Sequence, residues 1–193
     1  MFENLKNYHI VLGSKSPRRA ELLKGIGIPF TVAAIDNIDE HYPETLSKEQ
    51  IPLYIAQKKA EAYKATMQED TLLITADTVV HINGKILGKP ADKTEAMAML
   101  RLLSGKDHDV FTGVTLTSLH KQRSFSVGTK VSFAHLNREE IEYYVDTYKP
   151  FDKAGAYGVQ EWIGYIAVRS IKGSYFNVMG LPLQRLYKEL IRF

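Results

Sequence analysis

The chain has 193 residues, 45% of them hydrophobic and 24% charged, with a formal net charge of +3. That length and mix belong to a globular chain able to bury a sizeable core, and residues 1–193 read as one domain. The small net charge gives no electrostatic case for a nucleic-acid or membrane surface. The absence of cysteine excludes disulfides and thiolate metal sites, and no apolar run reaches the length of a membrane span, so a cytoplasmic protein is expected.

In chain order, the apolar run Ile10-Val11-Leu12 predicts a buried strand that breaks at Gly13 into a serine-rich turn. A helix then opens at Pro17. Ser16 is a natural N-cap, because its hydroxyl can accept from free N–H groups of the first turn, and proline at the first helical position loses no needed donor. Strand, small-residue turn and helix N-terminus together suit an anion. Arg18 and Arg19 sit in that first turn, where a positive charge opposes the helix dipole. A bound phosphate chain explains them through bidentate contacts; a solvated, basic helix start is the alternative. Gly25 reads as a left-handed cap ending the helix.

A strand over 30–34 leads into an acidic loop over 35–46 that contains Asp36, Asp39, Glu40 and Glu44. Ser47 and Gln50 have capping-box spacing, and Pro52 sets a start or a bend close behind. Residues 54–67 read as a helix carrying the adjacent Lys58 and Lys59, at least one of which faces solvent. An apolar strand over 71–75 runs into Ala76-Asp77-Thr78. Residues 79–87 predict a hairpin turning at Asn83-Gly84 and closed by Gly88-Lys89-Pro90. Asp92 and Glu95 cap a helix running to about residue 103. Strands over 110–119 and 124–134 pair across the 120–122 turn, and Asn137 with Glu140 caps a helix to about residue 148. The glycine-rich stretch 149–160 reads as a loop, 166–171 as a strand, 173–181 as a second loop, and a last helix starts at Pro182. Alternating helices and strands with hairpins give a mixed α/β class.

The 6 histidines show no metal-ligand spacing. A metal here would be held by carboxylates, which means Mg²⁺ or Mn²⁺ together with a phosphate substrate. Asp77, at the end of an apolar strand where α/β proteins place ligand-facing groups, is one candidate, and Glu40 in the acidic loop is the other. A turn-forming aspartate and a solvated loop glutamate are the structural alternatives. Lys89, between a glycine and a proline, is either a stiffly held phosphate ligand or an exposed turn lysine. Gln160 can read a base edge through its amide donor and acceptor, although a loop glutamine alone means little. Neither glycine cluster has the P-loop or dinucleotide-binding form.

Taken together these segments resemble the Maf family of nucleoside triphosphate pyrophosphatases. The resemblance rests on G-S-K-S-P-R-R at 13–19, Q-K-K-A-E-A at 57–62, A-D-T-V-V at 76–80 and G-K-P at 88–90. It continues through S-G-K at 104–106, T-G-V at 112–114, D-K-A-G-A-Y-G-V-Q at 152–160 and G-S-Y-F-N-V-M-G-L-P at 173–182. The resemblance implies a mixed, twisted α/β sheet in two lobes with a substrate cleft between them, often as a homodimer. It implies hydrolysis of nucleoside triphosphates, dTTP and UTP above all, to the monophosphate and pyrophosphate, cleansing the nucleotide pool of ordinary or modified pyrimidine nucleotides. Asp77 and Glu40 would hold a divalent cation, with Asp77 the catalytic acidic residue. Lys59, rather than Lys58, and Lys89 would complete the catalytic set. Ser14, Arg18 and Arg19 would surround the triphosphate, and Arg18, Thr78 and Gln160 match the branch selective for dTTP and UTP.

Four positions depart from that pattern. Gly13 stands where alanine is common, Thr75 where a glycine precedes A-D-T, Glu161 where glycine is frequent, and Phe176 where serine is usual; the last two are expected near the base pocket. Two rival readings use the same residues. One is a non-catalytic nucleotide sensor acting through a protein partner in cell-division control. The other is a nucleic-acid module using the Arg18-Arg19 turn, against which the lack of a basic stripe argues.

Overall fold

The computed structural model describes residues 2–33 and 38–193. The last residue of the expected 30–34 strand, and Asp36 of the acidic loop, lie outside the described residues. In chain order the elements are β1 (His9–Leu12), α1 (Pro17–Lys24), β2 (Thr31–Val32), α2 (Gln50–Tyr63), β3 (Thr71–Ile82) and β4 (Lys85–Leu87). They continue with α3 (Lys93–Leu103), β5 (Asp107–Thr117), β6 (Gln122–Phe133), α4 (Arg138–Tyr148), α5 (Trp162–Ala167), β7 (Val168–Lys172), α6 (Tyr175–Met179) and α7 (Leu183–Ile191).

Among the described residues the strands form a 7-stranded sheet in the order β2-β1-β3-β5-β6-β7, with β4 pairing on β3. β1 is parallel to both β2 and β3, whereas the β3–β4 and β6–β7 pairs are antiparallel, so the expected mixed α/β fold is present. The chain divides into two compact units. The first comprises residues 1–77, 112–127 and 180–193; the second comprises 78–111 and 128–179.

In the first unit β1 and the first half of β3 are apolar on both faces, as buried parallel strands require. Val11 and Leu73 join Ala60 and Met67 in one buried cluster beneath α2. Gly113 makes that packing possible: a Cβ there would lie 2.3 Å from the backbone nitrogen of Leu53, in the first turn of α2. In the core of the second unit, Leu100 and Leu103 of α3 meet Ile141 and Tyr144 of α4 and Phe133 of β6.

Several boundaries differ from expectation, each for a local reason. Gly25 is not left-handed (φ −64°); the helix unwinds through short bonds from Ile26 to Leu23 and from Gly27 to Lys24, and Gly27 (φ 79°) makes the turn. α2 starts at Gln50, four residues early. The Gln50 side chain accepts from the Ser47 N–H at 2.9 Å, and Pro52 falls in the first turn, where its missing donor costs nothing. β3 does not stop at residue 75 but continues to Ile82, so Asp77 lies within the strand rather than at its end. The β3–β4 hairpin turns at Asn83 (φ 50°) and Gly84 (φ 76°), the two positive values such a turn needs. Trp162–Ala167 is a short helix that takes the first two residues of the expected 166–171 strand, and Tyr175–Met179 is a short helix within the stretch read as a second loop.

Candidate active site

The period of a strand and the period of a helix meet at the centre of the first unit. Thr75 and Asp77 are two residues apart on β3 and therefore share a face. That face meets α2. The buried Thr75 hydroxyl donates to the Ala56 carbonyl at 2.7 Å, and Asp77 Oδ1 accepts from Lys59 Nζ at 2.7 Å. Ala56 and Lys59 lie one turn apart on the helix, and helical side chains lean back toward the N-terminus, which lets the long Lys59 stem reach the strand.

Lys59 is held from two sides. Its ammonium also pairs with Glu40 Oε1 at 2.8 Å. The side chains of Lys59 and Asp77 are only 14% and 12% exposed, so the Asp77 carboxylate depends on the Lys59 ammonium, because removing the cation would leave a buried charge uncompensated. Glu40 is half exposed. The neighbouring Lys58 is directed elsewhere, to Asp39 Oδ2 at 2.9 Å and the His41 carbonyl at 3.2 Å. The two adjacent lysines thus leave α2 in different directions, Lys59 to Asp77 and Glu40 and Lys58 to Asp39.

The start of α1 adds the basic side. Ser16 caps it, its hydroxyl accepting from the Arg19 N–H at 3.4 Å. The Ser14 hydroxyl accepts from the Ser16 N–H at 3.2 Å and from Arg19 Nη1 at 3.3 Å. Arg19 Nε donates to the Gly180 carbonyl at 2.8 Å, which holds the guanidinium in one orientation. Burial lowers the pKa of Arg19; the Asp77 carboxylate raises it, Arg18 lowers it and Glu40 raises it. The guanidinium stays charged. Ser14, Arg18, Arg19, Glu40, Lys59 and Asp77 thus form one electrostatic group in the first unit.

Thr78, Lys89 and Gln160 belong to the second unit. Thr78 follows Asp77 on β3 and so points to the opposite face. Lys89 is exposed, in a turn whose Gly88 carbonyl accepts from the Gly155 N–H at 3.0 Å. Gly155 (φ 69°) has no room for a side chain, since a Cβ would lie 2.9 Å from Val80 Cγ2. The Gln160 amide oxygen is buried without a hydrogen-bond partner among the described residues.

Sequence reasoning missed the supports of these residues. The Thr75–Ala56 bond and the Gly180 carbonyl carry little signal, since one is a departure from the family pattern and the other is backbone. Glu161, expected at the rim of a base pocket, instead turns its carboxylate onto Tyr144 and Lys153. Phe176 is exposed and packs edge-on against Tyr175, with ring centroids 5.8 Å apart.

A family model described as Maf-like protein matches residues 9–193. A protein of Phocaeicola vulgatus named dTTP/UTP pyrophosphatase is 60% identical over 190 residues, covering 98% of each chain. One of Porphyromonas gingivalis (strain W83) with the same name is 57% identical over 195 residues, covering 100% of this chain and 98% of the relative. Among solved structures, the Staphylococcus aureus Ham1 protein is similar at a TM-score of 0.45 and 17% identity, covering 65% of this chain and 72% of that one. A likeness of that degree carries no argument.

Proposed function

The chain belongs to the Maf family, and from that premise we propose that it hydrolyses nucleoside triphosphates, dTTP and UTP above all, to the monophosphate and pyrophosphate. The observation that carries the reading is the Lys59 ammonium held between the Asp77 and Glu40 carboxylates, in one group with Arg18, Arg19 and Ser14.

In this reading Arg18, Arg19, Lys59 and Lys89 offset the charge of the triphosphate, the two arginines from the first turn of α1, whose N–H groups also favour an anion. Ser14 orients the Arg19 guanidinium. Asp77 accepts the proton of the attacking water, and Lys59, 2.7 Å from its Oδ1, holds the carboxylate in place. Asp77 and Glu40 fit Mg²⁺ or Mn²⁺. They are hard oxygen donors whose carboxylates converge on one cation, the Lys59 ammonium, and such an ion needs only one or two carboxylates beside phosphate oxygens and water. When bound, the ion supplies Lewis-acid stabilisation of the phosphoryl oxygens and a more acidic water.

Thr78 and Gln160 are assigned to the base. The unpartnered Gln160 amide oxygen is an acceptor in need of a donor, and the N3–H of uracil or thymine is such a donor, whereas N3 of cytosine is not. A buried acceptor left unpaired is the kind of group that rejects the wrong base. The same reading places the enzyme in the cytoplasm, where nucleoside triphosphates are made and used. It also includes a homodimer, which sedimentation of the purified protein tests.

The test is pyrophosphate release, with Mg²⁺ or Mn²⁺, from the common ribo- and deoxyribonucleoside triphosphates, 7-methyl-GTP and modified uridine triphosphates. Release of pyrophosphate and monophosphate, fastest from dTTP and UTP, is expected. Release of orthophosphate, or of no product from any substrate, would overturn the reaction. Preference for a purine would overturn the assignment of Thr78 and Gln160.

A further inference from the structure

The end of the loop at Gln160 is tied to the second unit's core through the buried Tyr144 hydroxyl. Tyr144, fully buried on α4, accepts from the Gly158 N–H at 3.0 Å and donates to Glu161 Oε2. Glu161 Oε1 pairs with Lys153 at 3.1 Å, and Lys153, 8% exposed, also reaches Asp152 Oδ1 at 2.8 Å. The Glu161 N–H returns to the Gly158 carbonyl at 3.0 Å and closes a turn in which Gln160 is the third residue. The Glu161 carboxylate packs over Gly158, where a Cβ would lie 2.8 Å from Glu161 Cδ. Burial, followed by the bond to the Glu161 carboxylate, pushes the Tyr144 hydroxyl above its ordinary range, so it remains a donor.

Gln160 therefore sits between two anchored neighbours, while its own amide oxygen has no partner among the described residues. A buried polar network of this kind fixes one conformation more than it adds stability, because desolvation of its charges offsets most of the attraction. We propose that Glu161, Tyr144 and Lys153 are positioning residues that set base selectivity by fixing the Gln160 amide. Glu161, which replaces a glycine frequent in the family, is then a support for the base-reading residue rather than part of the pocket rim. The inference rests on the base-reading role proposed for Gln160.

The experiment measures kcat and KM for UTP and CTP in the wild type, Glu161→Ala, Glu161→Gln, Tyr144→Phe, Gln160→Ala, and the doubles Glu161→Ala/Gln160→Ala and Tyr144→Phe/Gln160→Ala. Glu161→Ala and Tyr144→Phe are each expected to raise KM for UTP and shrink the UTP-over-CTP preference by about tenfold, with kcat held within about twofold. Glu161→Gln keeps an acceptor for Tyr144 and is expected to retain most of the preference. In the Gln160→Ala background neither substitution should cause a further loss. If Gln160→Ala loses selectivity while Tyr144→Phe and Glu161→Ala keep it, or if the losses add, the positioning role is overturned. If Gln160→Ala itself keeps full selectivity, the base-reading role fails first. Should Glu161→Ala not fold, the Tyr144→Phe cycle decides by the same criteria, since it leaves the ring and the Lys153–Glu161 pair in place.

Discussion

Gly13 and Thr75 are fitted to each other: a Cβ on Gly13 would lie 3.0 Å from Thr75 Cγ2 and 3.1 Å from Leu73 Cδ1. Both positions depart from the family pattern, one by losing a side chain and the other by gaining one. In the structure the Thr75 methyl fills the space beside Gly13, and the Thr75 hydroxyl ties β3 to α2. Gly13→Ala should therefore destabilise the chain by about 1–2 kcal/mol through overpacking. In a Thr75→Ser background, which removes the methyl and keeps the hydroxyl, that cost should shrink by about 0.5–1 kcal/mol. Urea unfolding of the four proteins measures the coupling, and strict additivity would show that the two positions are independent.

At Gly113 the strand β5 meets the backbone of α2 so closely that a Cβ would lie 2.3 Å from the Leu53 nitrogen. The obstacle is backbone, which cannot rotate away. Gly113→Ala should cost about 3 kcal/mol or more, or prevent folding, and a soluble variant should lose activity because Lys59 rides on the displaced helix. Thermal unfolding checks the first effect and turnover the second.

Lys58 and Lys59 make an internal contrast. Lys58 pairs with Asp39, which is largely exposed, and such pairs contribute little. Lys58→Ala should leave kcat within about twofold, whereas Lys59→Ala, which strips the ammonium from two carboxylates, should lower it by about 10²-fold or more. Equal effects in steady-state assays would remove Lys59 from the site.

His108 is expected to make the second unit acid-sensitive. The ring is 3% exposed and packs edge-on against Phe133 and Tyr157, with Nε2 2.7 Å from the Tyr157 hydroxyl. Burial pushes its pKa down from 6.5 to about 4, against a smaller upward pull from Asp109 and Asp107. The unfolded chain therefore takes up this proton near pH 6.5 while the folded chain resists it until about pH 4. The stability from a neutral His108 is fully present above the unfolded value and is lost as pH falls through that window, by about 3 kcal/mol at most. Denaturant unfolding between pH 7 and pH 4 should show this slope in the wild type and a shallower one in His108→Phe.

Much of the fold was legible in the sequence, because caps, turn pairs and apolar periods are local signals. Ser16, Asp92 and Asn137 cap helices as their spacing predicts, and Asn83-Gly84 makes its hairpin. What failed was set by pairing and packing between neighbouring segments, which the pattern of a single segment does not carry. β3 runs past Asp77 because β4 pairs with its second half, and Trp162–Ala167 becomes helical where a Gly164 Cβ would lie 1.8 Å from the Val159 carbonyl oxygen. The grouping of Ser14, Arg19, Glu40, Lys59 and Asp77 follows from residues the sequence marks. The supports, Thr75 beneath Lys59 and Tyr144 beneath Gln160, are visible only once strand and helix are packed.

The proposed hydrolysis rests on the Asp77 carboxylate, held by Lys59. Its most direct test is single-turnover cleavage of UTP or dTTP with Mg²⁺ by the wild type and by Asp77→Asn, with thermal unfolding of both proteins. The account predicts that turnover falls by about 10²–10⁴-fold while the variant still folds, since Lys59 keeps Glu40. An Asp77→Asn protein that cleaves at near the wild-type rate would contradict it.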